Sequence, residues 1–279
     1  MNRFTVAKTT TISGVGLHTG RKVSMTVRPV DGGTGRIWRR TDLAGADIPA
    51  LVPYVSQTAH RTELSCGDVS VSTVEHFLAT AYAFGIDDMH IELTGPEVPM
   101  GDGSANPCLD MLRRAGCAET NGIVHPFVVS SSFEVRYAQS LYVVEPAPQL
   151  SLSVRIDVPH PLIGEQSIDV DIDKHTFASE IASARTFGYF DDHERLQKLG
   201  LARGADSTNV LVLTQDGLLD GTLRWPDEFV RHKALDLVGD LALVGWPIWA
   251  HITATQPGHA GNVALARALY ALVTQQVEA

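Results

Sequence analysis

Three separate segments of this sequence carry histidine and carboxylate side chains that could do chemistry together. Such side chains bind metal ions and transfer protons, and their spacing decides whether they can share one site. In chain order the segments are Glu75-His76, then His232, Asp236 and Asp240, and finally Gly258-His259 with Asn262. Each segment taken alone also has an ordinary structural explanation.

The first segment fits the start of a helix. Ser72 and Glu75 form the S-x-x-E pattern of a capping box, and on this segment alone the cap is the favoured interpretation. A single histidine such as His76 is more often a solvated or core residue than a metal ligand. This segment therefore indicates a helix more firmly than it indicates a site.

The second segment is more specific because its polar residues recur every four positions. His232, Asp236 and Asp240 form one stripe on a predicted helix, and a His and an Asp one turn apart can reach one metal ion. A solvent-facing helix with scattered charges, or a His–Asp pair without metal, explains the same spacing. His259 precedes the last predicted helix, where histidines are often merely exposed, although loops also carry many catalytic groups.

Zinc chemistry would combine the three segments. A catalytic zinc ion takes three protein ligands and leaves one position open, and His76, His232 and Asp236 would supply those ligands. Glu75 would then be a base beside the metal, and His259 would be a proton donor for a leaving amine. The pattern alone does not show that these residues meet in space.

The elements that must position these residues follow from hydrophobic periodicity. Alternating residues at 23–27 predict a strand, and the spacing then becomes helical over 74–82, with Gly85 as a stop. The same succession of strands and then helices recurs later in the chain. The sequence therefore predicts an α+β protein of two similar halves, residues 1–124 and 125–279.

Other predicted elements complete this outline. A helix is predicted between Asn106, as N-cap, and Gly116, just past its end. A strand–helix–strand unit of the βαβ type is predicted over 184–213, followed by a long helix over 226–244. Asn262 is predicted to cap the final helix.

Composition limits the class of protein. With 22 Lys and Arg against 32 Asp and Glu, the net charge is −10 and no basic run occurs, which argues against a nucleic-acid partner. Cys66, Cys108 and Cys117 form no C-x-x-C pair and are predicted to be reduced thiols. We expect a cytoplasmic protein without stable membrane insertion, since no apolar signal segment is visible and residues 241–250 are too few to span a bilayer.

Common enzyme motifs are absent from the sequence. It contains no phosphate-binding loop, no H-E-x-x-H and no G-x-S-x-G. Gly14, Gly16 and Gly20 lack the spacing of a dinucleotide-binding loop and are interpreted as turn residues. Any catalytic site must therefore be assembled from distant segments.

Eight segments match one known family, and they occur in the order of that family. They are GVGLHTGRKV, RRTD, STVEH, GID, PEVP-x-x-DGSA, ARTFG, DEFVRHKALDLVGD and GHAGN. In these segments the chain resembles the zinc-dependent UDP-3-O-acyl-N-acetylglucosamine deacetylases, which catalyse the committed step of lipid A synthesis in Gram-negative bacteria. The resemblance covers nearly the whole chain and implies two similar β-α sandwich domains with the active site between them.

The resemblance also implies roles for individual residues. His76, His232 and Asp236 would bind one catalytic zinc ion, and Glu75 would be the general base toward the attacking water. On this basis, the interpretation of Glu75 as a general base is favoured over its interpretation as part of a capping box. The implied substrate is a UDP-linked acylated glucosamine, and the implied state is a monomer.

Further roles concern the leaving group and the substrate. His259 would be the general acid, oriented by Asp240, and Thr186 would help to stabilise the oxyanion. Lys233 would contact the sugar or diphosphate. Phe187 lies in the βαβ insert, which would build an apolar passage for the acyl chain.

The chain departs from its family's pattern at Gly101, at 204–209, and at His60 and Glu63. These departures leave the predicted metal ligands intact but bear on the acyl-chain length and the substrate affinity, and the turn at 204–209 lies in the insert region. Two alternatives therefore stay open. One is a related zinc amidase that acts on another N-acylated sugar, and the other is a non-catalytic protein that binds sugar nucleotides.

Overall fold

The computed structural model describes residues 1–44 and 47–278, which form the predicted α+β fold. The strands before residue 124 are β1 (Asn2–Val6), β2 (Thr10–Val15), β3 (Lys22–Arg28), β4 (Arg36–Arg40), β5 (Ile48–Pro49), β6 (Val55–Gln57), β7 (Glu63–Cys66), β8 (Val69–Ser72), β9 (Met89–Leu93) and β10 (Cys117–Ile123). The later strands are β11 (Phe127–Val128), β12 (Phe133–Tyr137), β13 (Ser140–Pro146), β14 (Ser151–Val158), β15 (Gly164–Asp171), β16 (Phe187–Tyr189), β17 (Leu211–Leu213) and β18 (Ile248–Thr255).

Helices alternate with these strands in both halves of the chain. They are α1 (Glu75–Ala83), α2 (Asn106–Ala115), α3 (Lys174–Thr176), α4 (His193–Lys198), α5 (Glu228–Leu241) and α6 (His259–Glu278). A π-helical turn, Phe177–Ile181, follows α3, and a 3₁₀ turn, Ala242–Val244, extends α5. Among the described residues, no helix combines the length and the apolar character that crossing a membrane requires.

Two large sheets dominate the fold. The first has the strand order β2-β3-β9-β4-β5, and the second has the order β12-β13-β18-β14-β15, with β11 beside β18. The smaller sheets are β1-β10, β6-β7-β8 and the parallel pair β16-β17. In β3 the buried residues Val23, Met25 and Val27 alternate with more exposed ones, as their period of two predicts.

Helices α1 and α5 lie against each other between the two large sheets. Trp38 of β4 packs edge-on against Phe77 of α1, with 5.5 Å between ring centroids, and α5 packs against both β14 and β15. The layers are therefore sheet, helix, helix and sheet. This stacking places residues of α1 beside residues of α5, although the two helices are far apart in the sequence.

The contact between α1 and α5 is close because Gly239 has no side chain. A Cβ atom at Gly239 would lie 2.1 Å from the backbone oxygen of Glu75. We expect Gly239→Ala to lower the free energy of unfolding by about 1–3 kcal/mol, because overpacked atoms force the backbone to shift. Chemical denaturation measures this change. Gly188→Ala is the control, since no atom lies within 4 Å of a Cβ added there, and equal stability of the two variants would contradict the expectation.

Three predicted helix caps are wrong. Ser72 ends β8 and its hydroxyl donates to the backbone oxygen of Pro96, and no side chain caps α1. Asn106 is the first residue of α2 rather than its N-cap. Asn262 lies inside α6, which already begins at His259. For Ser72 and Asn262 a side-chain contact made by the folded chain replaces the local cap that the sequence suggests.

The predicted βαβ unit is confirmed, with shorter strands. The predicted strands at 184–190 and 209–213 are reduced to β16 and β17, which pair in parallel and are connected through α4. Gly116 ends α2 with a φ of 67°, in agreement with the predicted stop. The long predicted helix is α5 together with the 3₁₀ turn that extends it.

Candidate active site

Glu75 and His76 are the first two residues of α1, and the turn before them is strained. Thr73 has a φ of 58°, which is rare for a β-branched residue. Its hydroxyl donates to Oε1 of the buried Glu97 at 2.9 Å, and the same oxygen accepts the backbone N–H of His18 at 2.8 Å. Glu97 therefore holds the start of α1 and the His18 loop together.

His232 and Asp236 lie one turn apart on α5 and meet His76 at the contact with α1. All three side chains are buried. Oδ1 of Asp236 lies 3.4 Å from Nε2 of His232 and 3.7 Å from Nε2 of His76. The possible ligand atoms of the trio lie within 4.8 Å of one another. The structure thus brings together the three residues that were predicted as metal ligands.

The donor set fits a metal ion. Tetrahedral ligands at about 2.1 Å from zinc are about 3.4 Å apart, close to the separations found here. Oδ1 of Asp236 is buried and accepts no hydrogen bond from the described residues, which is costly for a carboxylate unless a cation is bound. Nδ1 of His232 lies 3.1 Å from the backbone oxygen of Ala184, which leaves Nε2 free as a ligand.

The charge states of this pair also suit metal binding. Burial lowers the pKa of His232 to about 3, so its imidazole is neutral at ordinary pH. Burial acts to raise the pKa of Asp236, but its electrostatic interactions with the side chains of His232, Lys233 and His259 outweigh burial and hold that pKa well below its usual value. Neutral imidazole and ionised carboxylate are the forms that coordinate metals.

A chain of hydrogen bonds runs beside the three candidate metal ligands. Oε2 of Glu75 accepts the backbone N–H of Thr62 at 3.1 Å, and the Thr62 hydroxyl donates to Oδ1 of Asp240 at 2.6 Å. Oδ2 of Asp240 accepts from Nδ2 of Asn262 at 2.9 Å and lies 3.0 Å from Nδ1 of His259. The predicted base and the predicted acid are therefore connected through buried groups.

Glu75 and His259 have opposite protonation preferences. Burial raises the pKa of Glu75, which makes this carboxylate a stronger base than an exposed one. Burial acts to lower the pKa of His259, but the charges of Asp240 and Asp236 outweigh it and raise that pKa to about 9. His259 is therefore protonated at neutral pH, with Nε2 3.9 Å from Oδ2 of Asp236.

The three candidate metal ligands, Glu75 and His259 line a cavity with a volume of about 170 Å³, and the predicted residues not yet described line it as well. Thr186 is fixed by its backbone N–H, which donates to the oxygen of Gly103 at 2.8 Å. Nζ of Lys233 donates to Oδ2 of Asp236 at 3.0 Å and lies 5.4 Å from the centroid of the Phe187 ring. Every residue predicted from the sequence is thus found at this cavity or in direct contact with its lining.

Three residues of the site had no such role predicted. His18 lies in the matched segment GVGLHTG, lines the cavity, and has a buried Nε2 without a hydrogen-bond partner among the described residues. Asn262 was predicted as a cap, but its amide binds Asp240. Thr62 lies in neither a matched motif nor a periodic stripe, and its neighbourhood was noted only because His60 and Glu63 depart from the family's pattern.

Two imidazoles and a carboxylate surround a possible metal position here, with a buried carboxyl base and a protonated imidazole beside them. This arrangement is that of a metal-dependent hydrolase, in which the metal, a base and an acid act on one bond.

Comparison with known proteins identifies the family. The family model of LpxC, UDP-3-O-acyl N-acetylglycosamine deacetylase, matches residues 3–271. A protein of Myxococcus xanthus named UDP-3-O-acyl-N-acetylglucosamine deacetylase is 43% identical over 269 residues, which are 95% of this chain and 85% of that protein. A protein of the same name from Coxiella burnetii is 40% identical over 264 residues, 93% of this chain and 87% of that protein. The chain belongs to the UDP-3-O-acyl N-acetylglycosamine deacetylase family, as its motifs predicted.

Proposed function

We propose that this chain hydrolyses the acetamide of UDP-3-O-(3-hydroxyacyl)-N-acetylglucosamine to the free amine and acetate, the committed step of lipid A biosynthesis, with one zinc ion as cofactor. The observation that carries the proposal is the buried trio His76, His232 and Asp236, with Glu75 on one side and His259 on the other. The family membership of the chain supports the same substrate.

The three donors would hold zinc between α1 and α5. Two imidazoles and one carboxylate are a usual ligand set for catalytic zinc and leave a position open. Zinc, when bound, supplies a Lewis acid that lowers the pKa of water and polarises the acetamide carbonyl. The short distances from Oδ1 of Asp236 to the two Nε2 atoms support this assignment.

Glu75 is the general base of the proposed reaction. Its carboxylate takes a proton from the attacking water as the water oxygen forms a bond to the acetamide carbon. The pKa of Glu75 is raised by burial, which makes its carboxylate a stronger base toward water. The N–H of Thr62 holds Oε2, so one carboxylate oxygen stays oriented while the other is free for the water.

His259 is the general acid of the proposed reaction. As the carbon–nitrogen bond breaks, Nε2 of His259 donates a proton to the departing amine, and acetate remains. Nδ1 of His259 is paired with Asp240, which orients the ring and favours its charged form. The proposed base Glu75 and the proposed acid His259 are therefore the two ends of one series of hydrogen bonds that passes through Thr62 and Asp240.

Three further residues would bind the substrate. The Thr186 hydroxyl donates to the carbonyl oxygen as its negative charge develops. Lys233 contacts the sugar or diphosphate. Its ammonium group is positively charged and only partly buried at the cavity, so a polar or anionic part of the substrate can reach it. Phe187, on β16 of the βαβ unit, contacts the acyl chain. The cytoplasmic location and the monomeric state stay predictions.

The division into two domains, 1–124 and 125–279, is also a proposal. It is supported by strand pairing, since each sheet among the described residues lies entirely on one side of this boundary. The βαβ insert near 184–213 lies in the second domain. Under this division His76 comes from one domain and the other two donors come from the other.

Mass spectrometry of the reaction products tests the proposed function. The zinc-loaded protein should convert the acylated UDP-sugar to the free amine with release of acetate, and should convert UDP-N-acetylglucosamine, which lacks the 3-O-acyl chain, far more slowly. Equal turnover of both sugars would favour a related amidase on another N-acylated sugar. Binding without turnover of either sugar would favour a sugar-nucleotide-binding protein.

A further inference from the structure

Thr62 lies between the two proton-transferring groups of the site, and its side chain is fully buried. It immediately precedes β7, whereas Glu75 begins α1, Asp240 lies on α5 and His259 begins α6. Even so, its backbone N–H reaches Oε2 of Glu75, and its hydroxyl lies 2.6 Å from Oδ1 of Asp240 and 3.3 Å from Nδ1 of His259.

The direction of each hydrogen bond follows from the chemistry of these groups. An ionised carboxylate only accepts, so the single hydroxyl proton of Thr62 points to Asp240. Nδ1 of His259 must then carry a proton, which it shares between Oδ2 of Asp240 and the Thr62 hydroxyl oxygen. The other ring nitrogen, Nε2, then faces Asp236 and lies 3.9 Å from its Oδ2.

Asp240 depends on Thr62 for one of its two oxygens. Oδ2 is occupied by His259 and Asn262, whereas among the described residues Oδ1 accepts a side-chain hydrogen bond from Thr62 alone. Without the hydroxyl, Oδ1 would be a buried acceptor without a donor. The carboxylate would then rotate, and the hydrogen bond between its Oδ2 and Nδ1 of His259 would change in geometry. The position of the His259 ring therefore depends on Thr62.

We propose that Thr62 is a positioning residue for the reaction, which orients the base Glu75 through its N–H and the acid His259 through its hydroxyl and Asp240. The inference rests on the proposed function, because it assigns Thr62 to the same acid and base. Among the described residues, the hydrogen bonds of the Thr62 side chain go to Asp240 and His259 and to none of the three proposed metal donors. Its loss should therefore lower kcat more than it changes KM or the zinc content.

Two substitutions separate the hydrogen bond from packing. Thr62→Val keeps the branched shape and removes the hydroxyl, whereas Thr62→Ser keeps the hydroxyl and removes a methyl group. We expect Thr62→Val to lower kcat by about 10- to 100-fold, since a hydrogen bond to a charged group is lost. KM and zinc content should stay near wild type, and Thr62→Ser should be the more active variant.

A coupled pair of variants provides a second readout. In the background of Asp240→Asn, the Thr62→Val change should cost far less activity than it does alone, because the hydroxyl acts through Asp240. Fully additive losses would overturn the proposal. A Thr62→Val enzyme as active as wild type, or a Thr62→Ser enzyme at least as impaired as Thr62→Val, would overturn it as well.

Nuclear magnetic resonance of the wild-type protein tests the same geometry without any change at Thr62. With ¹⁵N-labelled histidine, the proposal requires a proton on Nδ1 of His259, with the signal assigned by its loss in His259→Gln. An unprotonated Nδ1 would overturn the inference. A wild-type protein that deacetylates no substrate but shows this proton would instead contradict the proposed function.

Discussion

Glu75→Gln is expected to lower the rate of deacetylation by about 10²–10⁴-fold, the usual contribution of a general base. Glutamine keeps the size of the side chain and can still accept the N–H of Thr62 through its amide oxygen. It cannot take up a proton from water. Because Glu75 is not one of the three metal donors, the zinc content should not fall.

Steady-state kinetics together with metal analysis by mass spectrometry measures both parts of this prediction. Glu134→Gln is a matched control, since Glu134 lies exposed on β12 and its ion pair with Arg136 is on the surface. Its rate should equal that of the wild type. A Glu75→Gln protein with nearly full activity would show that another group removes the proton.

Asp236→Asn is expected to remove zinc and to lower the deacetylation rate by about 10³-fold or more, since a Lewis acid contributes several kcal/mol to the barrier. The carboxylate is the only negatively charged member of the donor trio, and its Oδ1 is the carboxylate oxygen that lies closer to the Nε2 atoms of His232 and His76. An amide oxygen at this position is a much weaker ligand. His232 and His76 alone should not retain the ion.

Metal content, measured before and after dialysis against a chelator, tests this second prediction. The wild type should lose activity with its zinc and regain it when zinc is returned, whereas Asp236→Asn should stay inactive. Asp110→Asn is the control, because Asp110 is an exposed carboxylate on α2. Full zinc content in Asp236→Asn would mean that the ion is held by other residues.

The relative positions of three site residues could be predicted from the sequence because these residues follow one helix. His232, Asp236 and Asp240 are one turn apart, so a regular helix fixes their relative positions before any tertiary contact forms. The position of His76 could not be derived in this way. It depends on α1 packing against α5, so zinc chemistry and the resemblance to a known family suggested that His76 belongs with the other two, but no local pattern did.

The wrong predictions concern residues whose local and tertiary contacts compete. Ser72 and Glu75 satisfy a capping pattern, yet Ser72 belongs to β8 and the Glu75 carboxylate binds Thr62. Asn262 has the side chain of a good N-cap, but its amide instead binds Asp240 and accepts from the Tyr142 hydroxyl. Short patterns do not reveal which of these contacts prevails.

The close packing at Gly239 has a consequence for the order in which the molecule matures. The place of α1 in the folded protein is defined in part by α5, because the backbone oxygen of Glu75 fits against Gly239. His232 and Asp236 are synthesised much later than His76, so a nascent chain that ends before them has no complete metal site. Any ion bound there is captured late and locks the early and late parts of the polypeptide in place, so metal loading reports that folding is complete.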